Sequence, residues 1–313
     1  MKNKSIQRIL ILLILTISTL TGRDYAGYAG SFLRMGTTAR SVAMGGGFTA
    51  EIDRGFTAFN NPAGVSFLEF RHASFSHQQL PLDRRLIASA FSAKLPPTAG
   101  ISLAWVSAGV NDIDGRTSSA VHTEYLSSGE DAVYISFAQR IQGWFGVGIS
   151  IKILNQQLPM NNNEVAGKGI GFDVGMLIKP NENFAAGLMV QDLNSGYQWN
   201  TGEIFDRGMI YKEIFPTIYR AGIRFRKWDV DIVGDGSVIT NHESLLGLDI
   251  RIGTEYTMNE DYFLRAGIGN SRISLGAGMK YRVFKKREAF LDYAFRFGSV
   301  AGVEHIFTYA FNI

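Results

Sequence analysis

Arginines and aspartates set at even spacing are the residues of this 313-residue chain whose chemistry stands out. Arg220, Arg224 and Arg226 interleave with Tyr219, Ala221, Ile223 and Phe225. Asp249 and Arg251 interleave with Leu246, Leu248, Ile250 and Ile252, and Asp292 and Arg296 with Leu291, Tyr293, Phe295 and Phe297. Asp173, Arg265, Lys280 and Arg282 sit in the same kind of pattern. Residues two apart in a strand share a face, so these charges turn away from the large apolar side chains. Guanidinium and carboxylate groups gathered on one face can do two things. They can pair into a network that holds something in place, which is the favoured reading. Alternatively Asp173, Arg220, Arg224, Asp249, Arg251, Arg265, Asp292 and Arg296 line a path for an anionic or carboxylate-bearing ligand.

Other chemistries fare poorly. A phosphate loop needs Gly-x-x-x-x-Gly-Lys-Ser/Thr and a dinucleotide site Gly-x-Gly-x-x-Gly; the run Gly45-Gly46-Gly47 is neither. The five histidines, at 72, 77, 122, 242 and 305, have no metal-ligand spacing, and His72 and His77 fall on opposite faces of an ideal strand. Asp112-Ile113-Asp114-Gly115 lacks the later acidic ligand of a calcium loop and reads as a turn. No Ser, His and Asp fall in a nucleophile-elbow context. The expectation is a non-enzymatic protein with no cofactor, no metal and no catalytic residues. There is no cysteine, hence no disulfide and no lipid-modified cysteine. Without Lys2, Lys4 and Arg8 the chain carries 28 basic and 28 acidic residues, a balance that argues against nucleic acid as a partner.

The elements that must position these charges are strands. About fourteen segments alternate, at roughly 67–77, 84–95, 98–110, 129–141, 144–156, 168–180, 183–192, 215–227, 228–239, 244–256, 260–269, 271–284, 288–299 and 302–313. The last is rich in aromatics: His305, Phe307, Tyr309, Phe311 and Ile313 share one face. A strand with large apolar groups on one side and charges on the other suits a closed transmembrane barrel, with lipid outside and a polar lumen within. An edge strand of a soluble sandwich is the competing reading. Loop lengths speak against it: the longer connections, 111–128, 157–167 and 193–214, all fall on one side by parity, as in outer-membrane barrels. The expected fold is therefore an all-β, 14-stranded antiparallel transmembrane barrel over residues 67–313. Residues 1–22 read as a signal peptide, with Lys2, Lys4 and Arg8 before an apolar core. Residues 23–66, dominated by Gly, Ala and Thr, read as a hatch inside the lumen. The C-terminus is expected in the periplasm. The ninth segment, with Val233-Gly234-Asp235-Gly236-Ser237, is a place where a lateral opening could interrupt the ladder. The apolar stretch 193–214, with Tyr197, Trp199, Phe205 and Tyr211, folds over the mouth as a lid or meets a partner.

Phe32-Leu33-Arg34-Met35-Gly36-Thr37-Thr38-Ala39-Arg40-Ser41-Val42-Ala43-Met44-Gly45-Gly46-Gly47-Phe48-Thr49-Ala50, followed by Asn61-Pro62-Ala63-Gly64, resembles the N-terminal signature of the PorV/PorQ family. Its outer-membrane proteins are related to the FadL long-chain fatty-acid transporters. The resemblance extends to Val110–Thr117, Ile135–Arg140 and Phe290–Phe295. It implies a FadL-like barrel filled by an N-terminal hatch, with Met44, Gly45 and Gly46 in the hatch and Asn61, Pro62, Ala63 and Gly64 at its junction with the barrel. It also implies a role in type IX secretion, binding secretion subunits or the C-terminal domains of exported cargo. The alternative is a FadL-like channel for a hydrophobic ligand. Either protein would sit in outer-membrane lipid.

Overall fold

The computed structural model describes residues 27–160, 163–202, 206–283, 287–298 and 302–313. The expected signal peptide lies outside the described residues. The strands are β1 (His72–Leu80), β2 (Arg84–Leu95), β3 (Ala99–Arg116), β4 (His122–Gln142), β5 (Phe145–Met160), β6 (Asn163–Ile178), β7 (Phe184–Leu193), β8 (Gly196–Asn200), β9 (Ile210–Ile214), β10 (Thr217–Lys227), β11 (Val230–Thr240), β12 (Leu245–Met258), β13 (Tyr262–Gly269), β14 (Arg272–Val283), β15 (Arg287–Phe297) and β16 (Val303–Asn312). All pairings are antiparallel. The ring closes where β1 pairs with β16, and its fourteen strands are all of these except β8 and β9. The expected barrel is present, and closure removes the unpaired edges that hydrocarbon would not tolerate.

Three details differ from expectation. The first strand begins at His72, because Asn61 and Pro62 start a 3-10 helix over Pro62–Phe67. The expected loops 111–128 and 157–167 are mostly strand: β3 and β4 run out to Arg116 and His122, and β5 and β6 to Met160 and Asn163. Their polar residues mark where the sheet leaves the membrane, and the ladder continues past that point. In β12, Leu246 is buried while Leu248 faces outward. A register shift opposite Ile239/Thr240 flips the residues before it.

The outer face defines the membrane level. Ile101, Phe137, Ile149 and Val174 form one registered row, Leu103, Ile135, Ile151 and Phe172 the next, and Trp105, Val133, Ile153 and Ile170 a third. The following outward row is Ser107, Asp131, Asn155 and Lys168. The apolar band thus ends along one line across four strands, and Trp105 Nε1 donates to Asp131 across it (3.1 Å). Aromatic groups that hydrogen-bond at such a boundary anchor a protein at the headgroups. Beyond this line β3–β6 project as a ribbon on the side of the barrel away from the C-terminal residue.

The chain has no cysteine, so single labels test the line cleanly. A bimane on Ile149→Cys is expected to be quenched by lipid-borne quenchers, and one on Gln157→Cys by water-soluble ones, in the chain reconstituted in vesicles.

Candidate functional site

Residues before β1 pack against the inner face of the ring, and their local sequence explains how. Thr38 caps the short helix α1 (Ala39–Ala43) by accepting from Ser41 N, in a capping box with the Ser41 side chain. Gly45 and Gly46 then adopt φ of 70° and 80°. A Cβ on Gly45 would lie 2.5 Å from the Ile268 carbonyl oxygen, and Cβ atoms on Gly253 and Gly267 would meet Met44 O and Gly45 N at 2.2 and 2.3 Å. Met44-Gly45-Gly46 therefore lies backbone to backbone on β12 and β13, a contact only glycine permits. After α2 (Thr57–Asn60), the Asn61 amide donates to Thr49 O (2.8 Å) and Met176 O (3.0 Å), while its oxygen accepts from Ala63 N (3.1 Å). Pro62 lies on Gly148, where a Cβ would come within 2.5 Å, and Gly64 lies against Thr57. The two glycine motifs are thus close-approach sites joining segment and wall.

Charges complete the attachment. Arg40 Nε and Nη2 form a bidentate pair with Glu255 of β12 (2.9 and 3.0 Å), and Nη1 reaches Glu51 (3.0 Å). Arg265 of β13 bridges Glu255 and Asp292 (2.5 and 2.7 Å). Arg54 also meets Asp292, at 2.6 Å. Arg224 joins Glu51 (2.8 Å) to Asp231 (3.1 Å), which Arg226 also binds. One unbroken chain of ion pairs thus runs from Arg54 to Arg226 and crosses the segment twice. Burial opposes the charge on Arg40, but Glu255 and Glu51 more than offset it and hold its pKa well above the ordinary arginine value.

The remaining charges form separate clusters. Lys152 is buried between Asp173 (2.6 Å) and Asp192. Arg251 pairs with Asp249 (2.8 Å), and Arg296 Nε donates to Glu304 (2.7 Å). Seven of the eight charges singled out from the sequence are therefore paired. Arg220 is the exception: it has no ion pair among the described residues, and its Nε has no hydrogen-bond partner. It lines a cavity of about 40 Å³ together with Arg34, Arg251 and Arg296 and with Leu33, Met35, Phe59, Val106 and Tyr134. Asn60 lines the same cavity, and its Nδ2 is also unpartnered.

The stretch expected as a lid is a β-hairpin. β8 pairs with β9 and, at Lys168↔Gln198, with β6. Tyr197 and Trp199 are buried with Phe215 against Phe32, Leu33 and Phe59 of the segment and Leu154 of the wall. Tyr211 faces out, and Phe205 lies outside the described residues. The ninth-segment opening is not seen: β11 is laddered on both sides from Val230 to Thr240, because its glycines serve as spacing and not as breaks. A register shift does occur between β6 and β7, at Phe172/Val174, where the hairpin begins.

Sequence reasoning missed Arg40, Glu51, Asp53 and Arg54, although they are conspicuous charges in a stretch of small residues. It also missed the wall partners Glu255, Asp231 and Asp192. Only pairing across strands brings these together.

No family model matches the sequence, and no curated protein does. Solved structures match its shape. A FadL homologue from Pseudomonas aeruginosa aligns over 88% of this chain and 97% of its own, with a TM-score of 0.62 and 11% identity. The toluene transporter TbuX of Ralstonia pickettii aligns over 89% and 98%, with a TM-score of 0.62 and 15% identity. The monoaromatic hydrocarbon channel CymD aligns over 88% and 97%, also at 0.62, with 12% identity. At these identities the likeness establishes a FadL-like fold.

Removing Arg40 leaves Glu255 and Glu51 buried and short of a partner. Arg40→Ala is expected to lower unfolding free energy by about 3–5 kcal/mol, the usual cost of breaking a buried pair from one side. Arg116→Ala, at the exposed tip of β3, is expected to leave the urea midpoint unchanged. Equilibrium unfolding in detergent measures both.

Proposed function

We propose that this chain is a non-enzymatic outer-membrane barrel that binds and passes hydrophobic small molecules carrying an anionic group, with residues 23–66 as a hatch in its lumen. The observation that carries this reading is the cavity beside Arg220. Arginines and apolar side chains line it together, and Arg220 and Asn60 bring unspent donors to it. A buried donor without a partner costs free energy that a ligand's acceptor would recover. The FadL-like neighbours, which include proteins described as a toluene transporter and a monoaromatic hydrocarbon channel, support the apolar part of the reading.

The cavity as it stands holds only a few waters, at about 10–15 Å³ for each. A ligand therefore enters by displacing apolar side chains. Met35 and Phe59 on the cavity wall are the natural ones to yield, because they bear no charge and break no ion pair. In this reading the hairpin β8–β9 is the lid, and the end of the barrel with the C-terminal residue is the periplasmic one.

The secretion reading rests on the PorV/PorQ resemblance in residues 32–64. It needs a broad external platform for cargo. Several connections at the hairpin end are short, such as 81–83, 241–244 and 270–271, and the platform is limited to the β3–β6 ribbon and the hairpin.

Binding of a pyrene-labelled carboxylate and of pyrene itself to the purified barrel tests the proposal. Arg220→Gln is expected to weaken the carboxylate about tenfold and leave the hydrocarbon within a factor of two, as the loss of one charged hydrogen bond would. No binding of either probe by the native chain, with recovery of secretion subunits on affinity purification from native membranes, would overturn it.

A further inference from the structure

The polar row that ends the apolar band does not stop at β6. Asn155 is registered with Lys168, Lys168 with Gln198 of β8, and Gln198 with Lys212 of β9. Register partners in an antiparallel sheet point to the same face, and Asn155 and Lys168 point outward with the rest of their row. The hairpin therefore extends the membrane boundary by two strands and places two lysines on it. Immediately to the membrane side stand Ile153, Ile170 and Ile214, the first two in register with each other and the third opposite Gly196.

Gly169 and Gly196 bring the hairpin so near β6 that a Cβ on Gly169 would fall 1.8 Å from the Gly196 carbonyl oxygen. A groove of about 740 Å³ lies at this junction, lined by Ile153, Asn155, Lys168, Ile170, Gln198 and Lys212, with the buried Leu154 and Tyr197. Both lysines are exposed, and neither has an acidic partner among the described residues. The nearby acids are engaged elsewhere: Asp131 accepts from Trp105 (3.1 Å), and Glu213 accepts from Trp199 Nε1 (3.0 Å).

We propose that this groove is a binding site for a membrane lipid with a phosphorylated headgroup. Lys168 and Lys212 hold the phosphate, Asn155 and Gln198 donate to its oxygens or to the glycerol, and an acyl chain lies over the isoleucines. Ammonium groups are effective point-charge partners for phosphate, and lysines at a membrane surface attract anionic headgroups. The apolar floor is what selects a lipid over a free anion. A soluble phosphate would use the lysines and leave the isoleucines idle. Its lysines and isoleucines are on the outer face, and it shares no lining residue with the cavity beside Arg220.

The test uses the full chain reconstituted in vesicles of phosphatidylcholine and phosphatidylglycerol, then extracted and examined by native mass spectrometry. The native chain is expected to retain phosphatidylglycerol over phosphatidylcholine. The double variant Lys168→Gln/Lys212→Gln is expected to retain at least fivefold less of it, and Lys168→Arg/Lys212→Arg to restore it. Arg220→Gln should retain as much as the native chain. Heat-modifiable migration on gels confirms that each variant is folded. Equal retention in the glutamine variant overturns the proposal, as does loss in Arg220→Gln alone, which would put the lipid in the lumen. Equal displacement by inorganic phosphate and by short-chain phosphatidylglycerol overturns the assignment to a lipid.

Discussion

A buried ion pair lost on one side is expensive, and this barrel strings such pairs into a single chain. From Arg54 through Asp292, Arg265, Glu255, Arg40, Glu51 and Arg224 to Asp231, each charge answers the next. Neither the segment nor the wall is electrically complete alone. The wall contributes Asp292, Arg265, Glu255, Arg224 and Asp231, and the segment contributes Arg40, Glu51 and Arg54. Such pairs add little net stability over apolar packing, but they penalise every arrangement that separates their members. The glycine contacts at Gly253, Gly267 and Gly148 add a steric counterpart, since they admit one backbone path and no side chain.

Much of this architecture was legible in the sequence because alternation is a direct record of two solvents. Phe145, Val147, Ile149, Ile151 and Ile153 against Gly146, Gly148, Ser150 and Lys152 specify both a strand and its orientation. The inward direction of the arginines follows from the same rule. Alternation is silent where a strand leaves the membrane, and for that reason the polar ends of β3 to β6 read as loops. It is also silent about pairing between distant strands. Nothing in the sequence says that Arg40 meets Glu255, or that Asp235 accepts from Thr49 N and Oγ1 (3.0 and 2.7 Å). The glycines of β11 looked like a weakness for the complementary reason. Gly236 faces outward on an unbroken ladder, and on the inner face Thr49 and Asp235 crowd Gly222 of the next strand.

Against this background Arg220 is informative because it stands apart. Neighbouring wall charges are spent on holding the segment or on each other, whereas Arg220 faces a small cavity that arginines and apolar side chains line together. The hydrophobic cluster beside it joins the segment (Phe32, Leu33, Phe59), the wall (Leu154) and the hairpin (Tyr197, Trp199, Phe215). Dispersion contacts of this kind are individually small and strand no charge when a side chain shifts. The interior is therefore divided into a part held by ion pairs and a part filled by apolar side chains. The proposed ligand route runs through the second part.

The central claim is that residues 38–64 are a fixed part of the lumen and not a loosely inserted tail. Amide hydrogen exchange of the reconstituted barrel tests it most directly. The account predicts that the amides of Arg40–Met44 and of Asn61, Ala63 and Gly64 exchange as slowly as the central residues of β12 and β13. Exchange of these residues at the rate of an open chain, while the wall strands stay protected, would contradict it.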